Sequence, residues 1–311
     1  MKDKQVHMVT GAFGFTGKYI AGRLLDQDHQ VSTLTNSPNR QNDLTHKVKA
    51  VEFNFDNPGK LVKSLENVST LYNTYWVRFN HKRFSHQDAV ENTLTLFAAA
   101  QEAGVRKIVH TSITNPSLDS DLEYFHGKAV LEQALIKSGI PYSILRPAVI
   151  FGKEDILINN IAWLLRKMPV FPIFGYGSYC LQPIYVKDFA DLAIKEGLNN
   201  DSVIIDAIGP ETYSYRSLVE KIGDIIGISK PIVSVSPKLG YLVGSFVGKL
   251  VKDVVVTKEE IEGLMSDLLC VKSDPVGTTS LSKWAYNNRL SLGIKYSSEL
   301  ARRIDRTQVY A

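Results

Sequence analysis

The chain has 311 residues, 44% hydrophobic and 22% charged, with 36 lysines and arginines against 32 aspartates and glutamates. That profile suits a globular protein with core enough for one large domain or two. A net charge of +4 with no basic stripe leaves no nucleic-acid footprint. Two cysteines, Cys180 and Cys270, stand far apart in no CxxC pair, so neither a disulfide scaffold nor a thiolate zinc site is expected, and a reducing, cytoplasmic setting fits. The N-terminus runs directly into a strand without a secretory signal. The most apolar stretch, Leu239 to Val247, is shorter than the ~20 residues that cross a bilayer. Membrane association is not expected.

Strands and helices alternate from the start. Val6 to Val9 reads as a strand and Thr16 to Leu25 as a helix; Val31 to Thr35 and Val48 to Phe53 are the next strands. A short helix near Leu61 to Leu65 precedes a fourth strand, Thr70 to Tyr72. Asp88 to Ala103 is a longer helix closed by Gly104, and Val105 to His110 the fifth strand. A helix over Leu131 to Lys137, closed by Gly139, leads to a sixth strand, Tyr142 to Leu145. This rhythm predicts an α/β fold with a doubly wound parallel Rossmann sheet.

After Arg146-Pro147 the rhythm changes. Ile156 to Lys167 reads as a helix, and Pro169 to Pro183, punctuated by Pro and Gly, as a hairpin and loop. A helix over Val186 to Gly197, a strand over Val203 to Ala207 and a helix over Tyr215 to Ile226 follow; the remainder is mostly helical. The expected organisation is a core over 1–150 and a smaller, mostly helical substrate lobe over 151–311, with 182–208 returning to the core.

Between the first strand and the first helix stands Thr10-Gly11-Ala12-Phe13-Gly14-Phe15-Thr16-Gly17. Glycine at every third position permits a tight turn and close approach of backbone amides to a pyrophosphate, and the helix N-terminus adds its positive dipole end. Gly11, Phe13, Gly14, Phe15, Thr16 and Gly17 are therefore assigned to a dinucleotide. At the end of the second strand, Asn36, Ser37 and Arg40 offer donors and a cation, with no carboxylate to repel a 2′-phosphate. That favours NADP, with NAD as the alternative.

Tyr124 and Lys128 form a YxxxK string at the opening of the helix after the fifth strand. Spacing of four puts both on one helix face. A neighbouring ammonium favours the phenolate of a tyrosine whose ordinary pKa is about 10, so Tyr124 is the candidate acid/base.

These motifs resemble the short-chain dehydrogenase/reductase superfamily, in its extended and atypical branches, with epimerase/dehydratase-like and NmrA-like members and the accessory subunit of respiratory complex I. The resemblance implies that Asp56 contacts adenine, that Asn73, Thr74 and Tyr75 line the cofactor cleft, that Ser112 joins Tyr124 and Lys128 in catalysis, and that Pro147 turns beside the nicotinamide. It also implies that Lys128 bonds the nicotinamide ribose and that copies pair through Rossmann helices. Thr111-Ser112-Ile113-Thr114 leaves open whether Ser112 or Thr114 polarises a substrate oxygen. The expected function is hydride chemistry at a hydroxyl or carbonyl carbon of a small molecule; the alternative is a non-catalytic dinucleotide sensor or assembly factor.

Other features divide between site and scaffold. The seven histidines show no metal-ligand spacing, and His110 reads as core. Pro172 to Gly177 reads equally as a substrate wall or a hairpin. Asn159 and Asn160 either reach a ligand or pack. Leu239 to Val256, with Lys249 and Lys252, reads as a packed amphipathic helix, against a lid or a weak membrane contact. Trp284 is expected to anchor a C-terminal helix.

Overall fold

The computed structural model describes residues 5–307. The chain divides into two compact units, one running through Arg146 and adding Phe189–Asp206, the other comprising Pro147–Asp188 and everything from Ala207.

The first unit begins with β1 (Val6–Thr10), α1 (Phe15–Asp26), β2 (Gln30–Leu34), β3 (Lys49–Val51) and α2 (Pro58–Leu65). It continues through β4 (Val68–Asn73), α3 (His86–Glu102), β5 (Lys107–Thr111), α4 (Glu123–Lys137) and β6 (Tyr142–Pro147). The rest of the chain adds β7 (Val149–Phe151), α5 (Leu157–Lys167), β8 (Phe171–Phe174), β9 (Cys180–Leu181), β10 (Pro183–Tyr185), α6 (Val186–Gly197) and β11 (Val203–Ala207). Last come β12 (Tyr213–Ser214), α7 (Tyr215–Ile226), β13 (Ile232–Val235), α8 (Pro237–Val251), α9 (Lys258–Met265), α10 (Leu281–Asn288) and α11 (Glu299–Ile304).

Seven strands form one sheet in the order β11-β6-β5-β4-β1-β2-β3, and β1 to β6 pair in parallel throughout. The doubly wound Rossmann sheet read from the alternation is the fold observed. Strand order reverses between β1 and β4, so the crevice outside their carboxyl ends is where such a sheet holds a ligand. Apolar side chains of β1, β4 and β5 (Met8, Leu71, Ile108) meet Leu96 and Leu131 from α3 and α4 in one buried cluster. Gly104 and Gly139 take left-handed φ values of 73° and 74° after α3 and α4, the conformation that closes a helix at least cost. Helix α4 starts at Glu123, ahead of the apolar run from Leu131, so that it includes Tyr124 and Lys128; its N-cap, Leu122, makes no side-chain bond.

The second unit departs further from expectation. Residues 169–183 form no hairpin: β8 pairs in parallel with β13, and β9 antiparallel with β12. Each partner lies decades of residues downstream, beyond the reach of local pattern. Asn159 and Asn160 lie inside α5, and their amides are committed to the chain near the C-terminus. Asn159 donates to Lys295 O at 2.8 Å and Asn160 brackets Ser297 with two bonds of 2.9 Å. Packing is their role. Trp284 meets Phe151 edge-on at 5.4 Å in the core of this unit. Cys180 and Cys270 are disulfide-bonded, with Cα atoms 5.5 Å apart. This corrects the expectation of unpaired thiols. Sequence separation says nothing about proximity once Val271 N donates to Gln182 Oε1 at 2.8 Å and Cys180 N to Asp267 Oδ1 at 2.8 Å.

Tyr72 shows how tightly the sheet of the first unit is covered. Its ring is buried, and Gly197 at the end of α6 lies so close that an added Cβ would sit 2.7 Å from the tyrosine Cζ. We predict that Gly197→Ala lowers stability by about 1–3 kcal/mol, the usual range for overpacking a filled core. Urea unfolding measures it, and a midpoint equal to wild type would refute the packing argument.

Candidate functional site

The glycine turn leaves β1 at the switch point. Gly11 adopts φ +66°, and its amide bonds back to Leu34 O on β2. Gly17 faces the turn so closely that a Cβ there would lie 2.8 Å from Gly11 C and collide with Gly11 O. Gly14 caps α1 with no side-chain bond, and the first turn of α1 carries no acidic residue. The leading amides of the helix thus have no intrahelical acceptors and stand against no fixed negative charge. That cradle fits a diphosphate. Phe13 contributes its backbone alone, since its ring is buried in the core, while Phe15 and Thr16 are half-buried on the opening turn.

A polar lattice joins the carboxyl ends of three strands beside this turn. Thr10 Oγ1 accepts from Thr74 N at 2.7 Å and donates to Asn73 Oδ1 at 3.2 Å; Thr74 Oγ1 donates to Thr10 O at 2.6 Å. Asn73 Oδ1 also accepts from Tyr75 N, and Asn73 Nδ2 donates to His110 Nδ1 at 3.1 Å. That bond makes Nδ1 the acceptor and leaves the proton on Nε2. His110 is wholly buried, and burial, reinforced by Lys128, holds its pKa well below the usual value. It is a core residue, as expected from its place in a strand. The supporting bonds of Thr10 and His110 were missed: Thr10 opens the glycine turn but its partners lie at the end of β4, and His110 reads only as a strand residue.

At the other flank of the turn, Asn36 is exposed, Ser37 half-buried and Arg40 only 4% exposed. A guanidinium stays charged when buried, so Arg40 is a fixed positive charge near the end of β2. Asp56 is exposed just before α2. Beside it lies an aromatic trio that pattern reading missed: Phe53 stacks on Phe55 at 4.8 Å, and Tyr75 meets them at 5.0 and 5.3 Å.

Helix α4 displays Tyr124, Lys128 and Glu132 on successive turns of one face. Tyr124 is half-buried, edge-on to Trp76 at 5.5 Å and to His86 at 5.6 Å. Lys128 is buried, its Nζ donating to Thr111 O at 2.7 Å and lying 4.2 Å from the centre of the Trp76 ring. Burial draws its pKa from the usual 10.5 down to about 7, against the opposing pull of Glu132. Gly127 lets the helix come this near: a Cβ would lie 3.0 Å from Trp76.

Ser112 takes another course. Its hydroxyl donates to Glu132 Oε1 at 2.5 Å, and Glu132 is held by Arg146 through Nε at 2.9 Å and Nη2 at 2.5 Å. The Glu132 hydrogen bonds hold the Arg146 guanidinium more firmly charged. A serine has one proton to donate, and here a carboxylate receives it. In this arrangement the Ser112 proton is committed to Glu132. Thr114 is buried as well. Pro147 ends β6, buried, as the first residue of the second unit. Among the described residues no group of three His, Cys, Asp or Glu could hold a metal ion.

Residues 11–158 match the model of an NAD(P)H-binding family. The match takes in the Rossmann-type strands and helices from the glycine turn through β6 and runs on into the start of the second unit. Among curated relatives, the mouse mitochondrial NADH dehydrogenase (ubiquinone) 1 alpha subcomplex subunit 9 is 27% identical over 290 residues, covering 85% of this chain and 73% of its own. The Arabidopsis thaliana protein of the same name is 25% identical over 232 residues, covering 71% of this chain and 58% of its own, so the alignment spans little more than half its length. The fold is shared with the Citrobacter triphenylmethane reductase complexed with NADP(H), at TM-score 0.74, 17% identity, and 91% and 99% coverage of the two chains. It is also shared with the Thermotoga maritima UDP-glucose 4-epimerase, at TM-score 0.65, 16% identity, and 75% and 86% coverage.

The depressed pKa of Lys128 has a sign that can be measured. Between pH 7 and 10.5 the unfolded chain binds a proton that the folded one does not, so this group adds stability as pH rises through that window and penalises folding below it. Relative to Lys128→Met, wild type should gain about 3 kcal/mol between pH 7 and 9.5. Urea unfolding at both pH values reads the difference, and parallel pH curves for the two proteins would exclude a depressed lysine.

Proposed function

We propose that this chain binds NADP(H), with NAD(H) as the less favoured form, and catalyses hydride exchange at a carbonyl or hydroxyl carbon of a small molecule. The carrying observation is the placement of Tyr124 and Lys128 one turn apart on α4, with Lys128 fastened to Thr111 O at the carboxyl edge of β5. β5 is one strand removed from β1, where the glycine turn begins. When bound, the dinucleotide supplies or takes up the hydride. The phenol of Tyr124 gives a proton to the substrate oxygen in reduction and accepts it in oxidation. Lys128, while protonated, favours the phenolate form of Tyr124.

The cradle amides of residues 13–17 hold the diphosphate. Arg40, with Asn36 and Ser37, supports the choice of NADP, since a buried guanidinium complements a 2′-phosphate. The Phe53–Phe55–Tyr75 trio offers a π-face to adenine, and the Asp56 carboxylate an acceptor for its amino group. The acid/base role rests on a tyrosine–lysine pair rather than on a triad, because the proton of Ser112 is held by Glu132. The cytoplasmic setting expected from the cysteines loses its basis with the Cys180–Cys270 bond.

One observation favours a second reading, a non-catalytic dinucleotide-binding protein: Ser112 is tied to the Glu132–Arg146 ion pair. Relatives named as subunits of NADH dehydrogenase agree with that reading.

Two experiments separate the possibilities. Tyr124→Phe should lower hydride exchange between isotopically labelled NADPH and a panel of carbonyl compounds by at least ~100-fold, with nucleotide affinity within about twofold of wild type. Absence of exchange in wild type, with tight nucleotide binding retained, would establish the binding protein instead. Arg40→Ala should weaken NADPH by about tenfold, near 1.4 kcal/mol, while changing NADH far less. Equal losses for both, read by nucleotide fluorescence titration, would remove Arg40 from 2′-phosphate recognition.

A further inference from the structure

Helix α8 carries its side chains the opposite way round from a packed amphipathic helix. Gly240, Gly244 and Gly248 recur at intervals of four and face the protein. A Cβ on Gly240 would collide with the Phe174 ring, one on Gly244 would lie 2.7 Å from Val256 Cγ1, and one on Gly248 2.6 Å from Asp253 O. The bulky residues point outward instead: Leu239 is 50% exposed, Leu242 64%, Phe246 65% and Leu250 69%. Spaced by three, four and four, they form one continuous stripe along the outer arc. An ordinary helix buries such a stripe, and a contiguous exposed apolar patch marks a surface that meets something.

The charges around the stripe name the occupant. Helix α8 contains no acidic residue and two lysines, Lys238 and Lys249, which lie together on one flank of the stripe; Lys252 follows at the C-cap. Asp253, the next carboxylate, is turned inward onto Tyr296 Oη, Glu299 N and Leu300 N. A second copy of this chain laid antiparallel on the stripe would bring Lys238 and Lys249 of each copy against one another, like charge on like. A sheet of anionic headgroups over acyl chains complements both features. The helix is about 22 Å long at 1.5 Å per residue, and no described helix is long and apolar enough to cross a membrane. Its geometry is that of a helix lying in the plane of a bilayer surface, apolar side chains in the acyl boundary and lysine heads among the phosphates.

We infer that α8 docks this protein on anionic phospholipid bilayers through Leu239, Leu242, Phe246 and Leu250, with Lys238 and Lys249 at the headgroups. The inference takes up the membrane contact that the sequence reading had set below a packed helix.

Co-sedimentation of the full chain with vesicles tests it. Wild type should pellet with vesicles of equal phosphatidylglycerol and phosphatidylcholine, and at least tenfold less with phosphatidylcholine alone or in 0.5 M salt. Leu242→Ser/Phe246→Ser, at exposed positions where folding is unaffected, should lose at least tenfold in partitioning, with circular dichroism unchanged. Lys238→Gln/Lys249→Gln should lose binding to the anionic vesicles selectively. Wild type left in the supernatant with anionic vesicles would overturn the inference. So would binding undiminished in the serine variant, or a wild-type dimer that the serine variant converts to monomer without lipid.

Discussion

The reciprocal bonding of Thr10 and Thr74 is the constraint on which the nucleotide end of this protein depends. Each threonine gives a backbone group and a hydroxyl to the other, at 2.7 and 2.6 Å. The pair locks the carboxyl ends of β1 and β4 together where strand order reverses. From those two ends leave the glycine turn on one side and Tyr75 and Trp76 on the other. Asn73 extends the lock to His110 on β5, and β5 carries the anchor of Lys128. Buried hydrogen bonds of this kind cost dearly when half satisfied, so the lattice holds a single arrangement.

Much of this was legible in the sequence, for identifiable reasons. The glycine turn could be read because backbone geometry imposes it: Gly11 needs a left-handed φ and Gly17 has no room for a Cβ. The six strands of the core could be read from alternation, and Gly104 and Gly139 from the φ that ends a helix. The face shared by Tyr124 and Lys128 followed from spacing alone. Glu132, one further step of four along that face, was the available signal for the fate of Ser112 and went unused.

What stayed hidden depends on partners distant in sequence. Strands of two to four residues such as β8, β9 and β13 have no period of their own, and only the partner selects the pairing. The disulfide belongs with them, since its two cysteines are 90 residues apart and are brought together by bonds around Gln182. The stretch 239–256 was read as a packed amphipathic helix, whereas α8 spans Pro237–Val251 and carries its large side chains outward. Its apolar and glycine stripes are both continuous, and hydrophobicity alone assigns the larger side chains inward. Only contact with Phe174 and Val256 shows that closeness of backbones, which glycine permits, decided the orientation.

The same arithmetic of donors distinguishes the two groups that sequence placed side by side as catalytic. Ser112 has one hydrogen, and Glu132 holds it; recruiting that hydroxyl to a substrate would leave a buried carboxylate short of a partner in a network that also restrains Arg146. Lys128 has three hydrogens. Thr111 O takes one, and the Trp76 face engages the charge without consuming a lone pair, so donor capacity remains for a ribose or a phenol oxygen. The indole is thus a support for the ammonium rather than a competitor for its hydrogen bonds. Burial lowers the lysine pKa to about 7, and an added negative group beside it would raise that value again. The charge of this side chain therefore depends on what is placed beside it.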